Sequence, residues 1–121
     1  MSQSDSESSR VGLKLFFYIM NEWSQSKDAQ AKLLGKKNLD ELESLSRTES
    51  IEFTNDELVR ISYIIRIYKY LRTIFTVENQ ANGWVNRRNK QFDNLTASEY
   101  MQNNGTEGIE YVCHHLCGHC Q

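Results

Sequence analysis

Residues 54–75, TNDELVRISYIIRIYKYLRTIF, constrain the fold of this chain more than any other stretch. They open on Thr54-Asn55-Asp56-Glu57, a capping box in which the threonine hydroxyl accepts from the third helical amide and Glu57 reaches back to the cap. Asp56 and Glu57 also suit the positive end of the helix dipole. At about 100° per residue, Leu58, Ile61, Ile64, Ile65, Tyr68, Leu71 and Phe75 share one broad side. Val59, Tyr63, Ile67, Tyr70 and Ile74 fill the adjoining one. Only Ser62, Arg66, Lys69 and Thr73 make a polar strip. A helix apolar over so much of its circumference has to be covered on more than one side. The expected fold is all-α, a helical bundle around this one long central helix.

Composition agrees. The chain of 121 residues has no proline, 39% hydrophobic and 25% charged residues, which is the range of a soluble globular domain with a modest core. A net charge of −2 gives no overall attraction to nucleic acid or to an anionic membrane. No apolar run approaches the ~20 residues that span a bilayer, and the N-terminus has no hydrophobic leader segment. Three cysteines cannot all pair internally, so a reducing cytoplasm is the expected setting.

Three regions follow from the pattern. Residues 1–9, MSQSDSESS, are Ser-rich and acidic and are expected to be a disordered tail. Residues 10–53 read as a helix-turn-helix-like subdomain. Val11, Leu15, Phe16, Ile19, Met20 and Trp23 mark the apolar face of a first helix. Ser26 caps a second at residues 27–34, which Gly35 ends in the left-handed region. A third, at residues 39–45, turns Leu39, Leu42 and Leu45 inward. In a helix-turn-helix this last element would enter the major groove. It reads LDELESL: Asp40, Glu41 and Glu43 repel phosphates, and no Arg, Asn or Gln within it offers a base contact. Lys27, Lys32, Lys36, Lys37 and Arg47 are the candidate DNA-backbone ligands. The competing reading is that these helices complete the core and leave their charges solvated.

Residues 54–121 form the third region. After the central helix, Ala81, Trp84 and Val85 mark a short helix at residues 79–87, followed by the basic cluster Arg87-Arg88-Asn89-Lys90. Phe92 and Leu95 bracket the turn residues Asp93-Asn94. Thr96-Ala97-Ser98-Glu99 is a second capping box. Asn103-Asn104-Gly105 ends the helix it opens, and a last helix presents Ile109, Val112, Cys113 and Leu116 on one face.

No phosphate-cradling glycine loop, nucleophile elbow or metalloprotease motif is present, so neither a catalytic residue nor a cofactor is expected. Trp84 beside Arg87, Arg88 and Lys90 has the anchor-and-charge composition of a protein interface; the alternative is a solvated helix end. Cys113, Cys117, His119 and Cys120 are the alternative metal ligands. Their spacing matches none of the common zinc motifs, and Cys113 falls on the core face, so core and terminal roles are preferred.

The order of features resembles the toxin-binding domain of the Xre/MbcA/ParS family of bacterial antitoxins. The resemblance runs through Ile61-Ser62, Ile67-Tyr68 and Leu71 to Phe75, then Trp84-Val85, Asn89 and Phe92-Asp93-Asn94-Leu95-Thr96. It closes on Gly105, Glu107-Gly108-Ile109, Val112 and Leu116. Upstream, Trp23 and Leu33-Leu34-Gly35 look like the helical part such antitoxins place first, so that residues 13–118 are covered. Departures fall at Ala97 and Arg88, where the family often has proline, and they cost turn rigidity rather than fold. The resemblance implies a non-enzymatic, cytoplasmic antitoxin that binds a co-expressed RES-type, NAD-degrading toxin and covers its active site. It implies a homodimer or a hetero-oligomer with the toxin, promoter DNA as a second partner, and no membrane. The toxin-binding residues it assigns are Trp84, Arg87, Arg88, Asn89, Lys90, Tyr111, His114, His115 and His119. A helix-turn-helix transcriptional regulator acting mainly on DNA is the alternative.

Overall fold

The computed structural model describes residues 3–47 and 52–118. Among them are six α-helices and two single 3-10 turns, and no strand. They are α1 (Gln3–Glu22), α2 (Lys27–Leu34), α3 (Leu39–Arg47), α4 (Asn55–Ile74), α5 (Glu78–Gly83) and α6 (Ala97–Cys117), with the 3-10 turns Trp84–Asn86 and Lys90–Phe92 between the last two. The all-α bundle read from the sequence is the fold observed. The unbroken α4 lies at its centre and packs against α1, α2, α5 and α6.

The boundaries of α4 follow from local chemistry. Thr54 Oγ1 accepts from the Glu57 amide at 3.1 Å, and Glu57 Oε1 accepts from the Thr54 amide at 2.8 Å. Both halves of the expected capping box are therefore made. Ile64 and Ile67 are fully buried, with Ile61 and Leu71 nearly so; each such side chain contributes about 1.5–3 kcal/mol when removed from water. Ser62, Arg66, Lys69 and Thr73 are exposed, as their spacing requires. Leu58 is not inside but 45% exposed. Glu57, Ile61, Ile64, Ile67 and Leu71 set the phase of the buried stripe, and Leu58 stands about a quarter-turn from Glu57 on the outer side.

A similar phase choice corrects α1. Buried along it and the turn that follows are Ser9, Leu13, Phe16, Met20 and Trp23, with Ile19 beside them, whereas Val11 and Leu15 are 58% and 42% exposed. The expected face had mixed two sides of the helix. Trp23, the largest fully buried side chain, selects the side that recurs every three and four residues back to Ser9. The helix also begins at Gln3, so residues 3–9 continue it where a tail was expected. In α3, Leu42 is buried but Leu39 is 40% exposed.

The turn chemistry is as read. Ser26 caps α2 by accepting from the Ala29 amide at 3.1 Å, and Gly35 ends it at φ 90°. Thr96 and Glu99 complete the second capping box at the start of α6. The expected break at Gly105 is a kink inside α6, with φ 62° and ψ −147°, a conformation open essentially to glycine alone. The expected helix at residues 79–87 is shorter: α5 stops at Gly83 and the chain tightens into the 3-10 turn carrying Trp84 and Val85.

One apolar cluster runs from Leu13 to Leu116 and takes in residues of α1, α2, α3, α4, α5 and α6. The N-terminal helices and the C-terminal module thus share a core. Polar groups fix their register. Glu57, only 5% exposed, ion-pairs with Lys36, which follows α2. Arg60 Nε donates to Asp56 Oδ2 at 2.8 Å, and its Nη1 donates to the Lys32 carbonyl at 3.1 Å, at the open end of α2. Asp56 also accepts from the Thr106 hydroxyl just after the α6 kink.

These bonds make an acid-sensitive joint. Burial opposes ionisation of Glu57, but Lys36 and the Thr54 amide outweigh it and hold the carboxyl below its ordinary 4.5. The Thr106 hydroxyl and Arg60 likewise hold Asp56 below 3.8. A carboxylate with a depressed folded pKa contributes stability that is complete above its unfolded value and is lost as pH falls through the folded one. Urea midpoints measured from about pH 7 down to about pH 3 are therefore expected to drop below those ordinary values. Glu57→Gln is expected to be less stable at neutral pH and to show a shallower acid decline. An unchanged profile would remove Glu57 from the joint.

Candidate protein-binding surface

The segment between α5 and α6 is a tight loop organised by its own backbone. Arg88 and Thr96 form an isolated antiparallel bridge across its base. Inside, the Asn89 amide donates to the Leu95 carbonyl at 3.0 Å, and the Asn89 carbonyl accepts from the amides of Phe92 and Asn94 at 3.0 and 3.1 Å. Asn89 Oδ1 accepts from the Gln91 amide at 3.0 Å. Asn89, assigned above to partner contact, is engaged in holding the loop. Asp93 and Asn94 have φ of 58° and 64°, the left-handed region that these two residue types tolerate best after glycine.

This geometry drives Phe92 inward until none of it is exposed. Its ring is the hub of an aromatic set: Trp84 at 5.7 Å, Tyr100 at 5.4 Å, His115 at 5.5 Å and Tyr111 at 6.2 Å between centroids. Tyr100 and Tyr111 lie 5.6 Å apart. Trp84, Tyr100 and His115 are half-buried, and Tyr111 is 45% exposed. Arg87, Arg88 and Lys90, all exposed, come from the loop that delivers Phe92. The result is a surface of rings resting on a buried one, with three exposed cations on the adjoining loop. Such rings present large, stiff contact area at low entropic cost.

Of the residues assigned to a partner, Trp84, Tyr111 and His115 converge here. His114 does not. One position earlier on α6, it meets the Tyr63 ring of α4 at 6.1 Å, and Arg66 lies over that same ring at 5.5 Å. His119 and Cys120 lie outside the described residues. Phe92, which brackets a turn in the sequence, and Tyr100 join the set without having been singled out as site residues. The i, i+4 spacing of Tyr111 and His115 is a visible signal; the convergence with Tyr100 is not, because three turns of regular helix would hold Tyr100 and Tyr111 well apart, and only the Gly105 kink brings their rings to 5.6 Å.

Cys113 is fully buried, and burial pushes its thiol up from the ordinary value. It behaves as a small apolar side chain beneath the surface. Among the described residues no three of His, Cys, Asp and Glu stand together as metal ligands.

Three of the five candidate DNA ligands face a carboxylate. Lys36, expected on the solvent side, turns inward to Glu57. Lys32 meets Asp28 at 3.3 Å and Arg47 meets Glu43 at 3.6 Å. Lys27 lies 5.6 Å above the Phe17 ring, and the Lys37 amide donates to Glu41 at 2.9 Å. Among the described residues no helix is long and apolar enough to cross a membrane.

No family model and no solved structure matches the chain. It is 35% identical over 102 residues to the uncharacterized protein y4oB of Sinorhizobium fredii (strain NBRC 101917 / NGR234), an alignment covering 83% of this chain and 78% of that one.

The ring set separates support from surface. Phe92→Ala is expected to cost about 3–5 kcal/mol, as for other buried aromatics. Tyr111→Ala is expected to cost only about 1 kcal/mol, the worth of its ring contacts. Chemical denaturation of both variants checks this, and equal losses would make Tyr111 part of the core.

Proposed function

For this chain, which belongs to one family with the uncharacterized protein y4oB, we propose the function of an antitoxin. It binds a co-expressed RES-type, NAD-degrading toxin and neutralises it by covering the active-site entrance. The observation that carries this reading is the half-exposed aromatic set on Phe92 with the exposed Arg87, Arg88 and Lys90 on the loop that carries it. It is built by the residues that resemble the antitoxin toxin-binding domain: Trp84-Val85, Asn89, the Phe92-to-Thr96 turn and the last helix.

The mechanism is stoichiometric occlusion. Trp84, Tyr100 and Tyr111 lose their remaining solvent against the partner and supply the apolar part of the affinity. The guanidinium groups of Arg87 and Arg88 pair with carboxylates, or occupy the phosphate-recognising part of the toxin's nucleotide site. Asn89 acts one step removed, by holding the loop from which those cations project. Nothing in this scheme requires a chemical step on the antitoxin.

A DNA-binding regulator is less well supported. Three of its five candidate cations face a carboxylate, and the helix that would read bases carries Asp40, Glu41 and Glu43.

The test pairs this protein with the product of the neighbouring reading frame. Co-expression is expected to restore growth and cellular NAD, and the purified proteins to form a complex that survives moderate salt. Arg87→Glu with Arg88→Glu is expected to weaken that complex by about 30-fold or more, equivalent to about 2 kcal/mol, at an unchanged thermal midpoint. Full affinity in this variant, or no binding of the neighbouring product by the wild type, would overturn the proposal.

A further inference from the structure

Helix α1 has apolar residues on two sides. Leu13, Phe16 and Met20 are buried in the core, whereas Val11, Leu15 and Tyr18 are 58%, 42% and 53% exposed. The exposed series continues to Glu22 and advances by alternating steps of four and three, the pattern of a coiled-coil seam. Helix α4 widens this face. The two helices run in the same direction: a Cβ added to Gly12 would lie 3.6 Å from Ile61, and the Tyr18 and Tyr68 rings meet edge to face at 6.2 Å. Leu58, 45% exposed, and the half-buried Ile65 and Tyr68 share the side of α4 that carries Ile61, and so flank the seam. Four of the seven large apolar side chains most exposed among the described residues thus fall on one face. Scattered ones are ordinary, but a contiguous patch marks an interaction site.

We propose that a second copy of this chain docks on this face, α1 against α1 in antiparallel sense, to form a two-fold homodimer.

The charges on the face select both the occupant and its direction. A two-fold interface has to match itself. Lys14, exposed, borders one end of the seam and Glu22, half-buried, closes the other. With Leu15 level with the partner's Tyr18, Val11 comes level with the partner's Glu22. Lys14 then stands within one turn of that carboxylate, about 4.5 Å along the axis, and the same pairing recurs across the two-fold. Parallel helices would instead set Lys14 beside Lys14 and Glu22 beside Glu22, and like charges oppose that arrangement. Glu22 holds only a long bond from the exposed Tyr18 hydroxyl, 3.3 Å, which leaves it able to take an ammonium group. Helix α6 meets α4 on another side, through His114 and Tyr63. The aromatic set on Phe92 is therefore outside this face, and a dimer presents it twice. The dimer does not depend on what that set binds.

Sedimentation equilibrium of the full chain from about 1 to 200 µM, at low salt, tests the proposal. A reversible monomer–dimer equilibrium with a Kd of about 10 µM or tighter is expected. Leu15→Glu, at a 42% exposed position, should weaken association about 30-fold or more with an unaltered circular dichroism spectrum. Lys14→Glu and Glu22→Lys should each weaken it about threefold or more, and the two changes in one chain should restore it to within about twofold. A chain that stays monomeric at about 200 µM, an undisturbed dimer in folded Leu15→Glu, or a charge-exchanged chain no better than the single variants would each overturn the proposal. So would a monomer whose Leu15→Glu variant loses the neighbouring gene's product, since the face would then belong to that partner.

Discussion

The first turn of α4 holds the bundle in register. Hydrophobic burial drives the helices together but is non-directional, and the apolar stripe of α4 alone would tolerate sliding or rotation. Asp56, Glu57 and Arg60 remove that freedom. Arg60 reaches the carbonyl end of α2, Glu57 takes the lysine that follows it, and Asp56 takes the threonine after the α6 kink. Gly35 and Gly105 are the residues that let the chain come this close. An added Cβ would sit 3.1 Å from the Arg60 guanidinium at Gly35 and 3.4 Å from it at Gly105. A buried carboxylate is costly unless its lone pairs are filled. Glu57 fills them with the Thr54 amide and Lys36. Losing one partner would leave a charge inside, which is why this joint specifies one arrangement rather than many.

A second polar joint carries that arrangement to the proposed interface. The Gln25 side chain donates to Asn86 Oδ1 at 2.9 Å and accepts from Ser98, and Asn86 donates to the Trp23 carbonyl at 2.8 Å. Asn86 belongs to the same 3-10 turn as Trp84, and Ser98 to the first turn of α6. The turn between α1 and α2 therefore positions both the tryptophan and the base of the helix that carries Tyr100 and Tyr111. The N-terminal helices are part of what holds the aromatic surface, and removing them would disturb it without touching one of its rings.

Much of this was legible in the sequence because it is local. Capping boxes at Thr54 and Thr96, the serine cap of α2 and the breaks at Gly35 and Gly105 depend on a few neighbouring residues. The central position of α4 followed from the width of its apolar face. What was missed depends on distant residues. Which side of α1 is buried is decided by Trp23 and its neighbours across the core, so spacing alone put Val11 and Leu15 on the apolar face and left out Leu13. Lys36 looked like a phosphate ligand because its partner, Glu57, lies 21 residues further on. The basic cluster and Trp84 were legible as an interface by composition. That Phe92 gathers rings from two elements was not, since a sequence shows neither the inward turn at Asp93-Asn94 nor what the kink at Gly105 brings together.

The same aromatic and basic groups would also suit single-stranded nucleic acid, where bases stack on rings and cations follow phosphates. The layout favours a protein. Stacking needs open ring faces in a row, whereas Trp84, Tyr111 and His115 stand edge-on to Phe92, at interplanar angles of 87°, 82° and 77°, and so are partly committed to one another. The cations occupy one short loop beside the rings rather than a track along which a backbone could run. With a net charge of −2, the rest of the chain adds no field to draw a polyanion in. A compact patch with a half-buried aromatic centre and exposed charges on the adjoining loop has the anatomy of a protein interface. Its affinity should rest on burial at the rings, with Arg87 and Arg88 choosing the partner and its orientation.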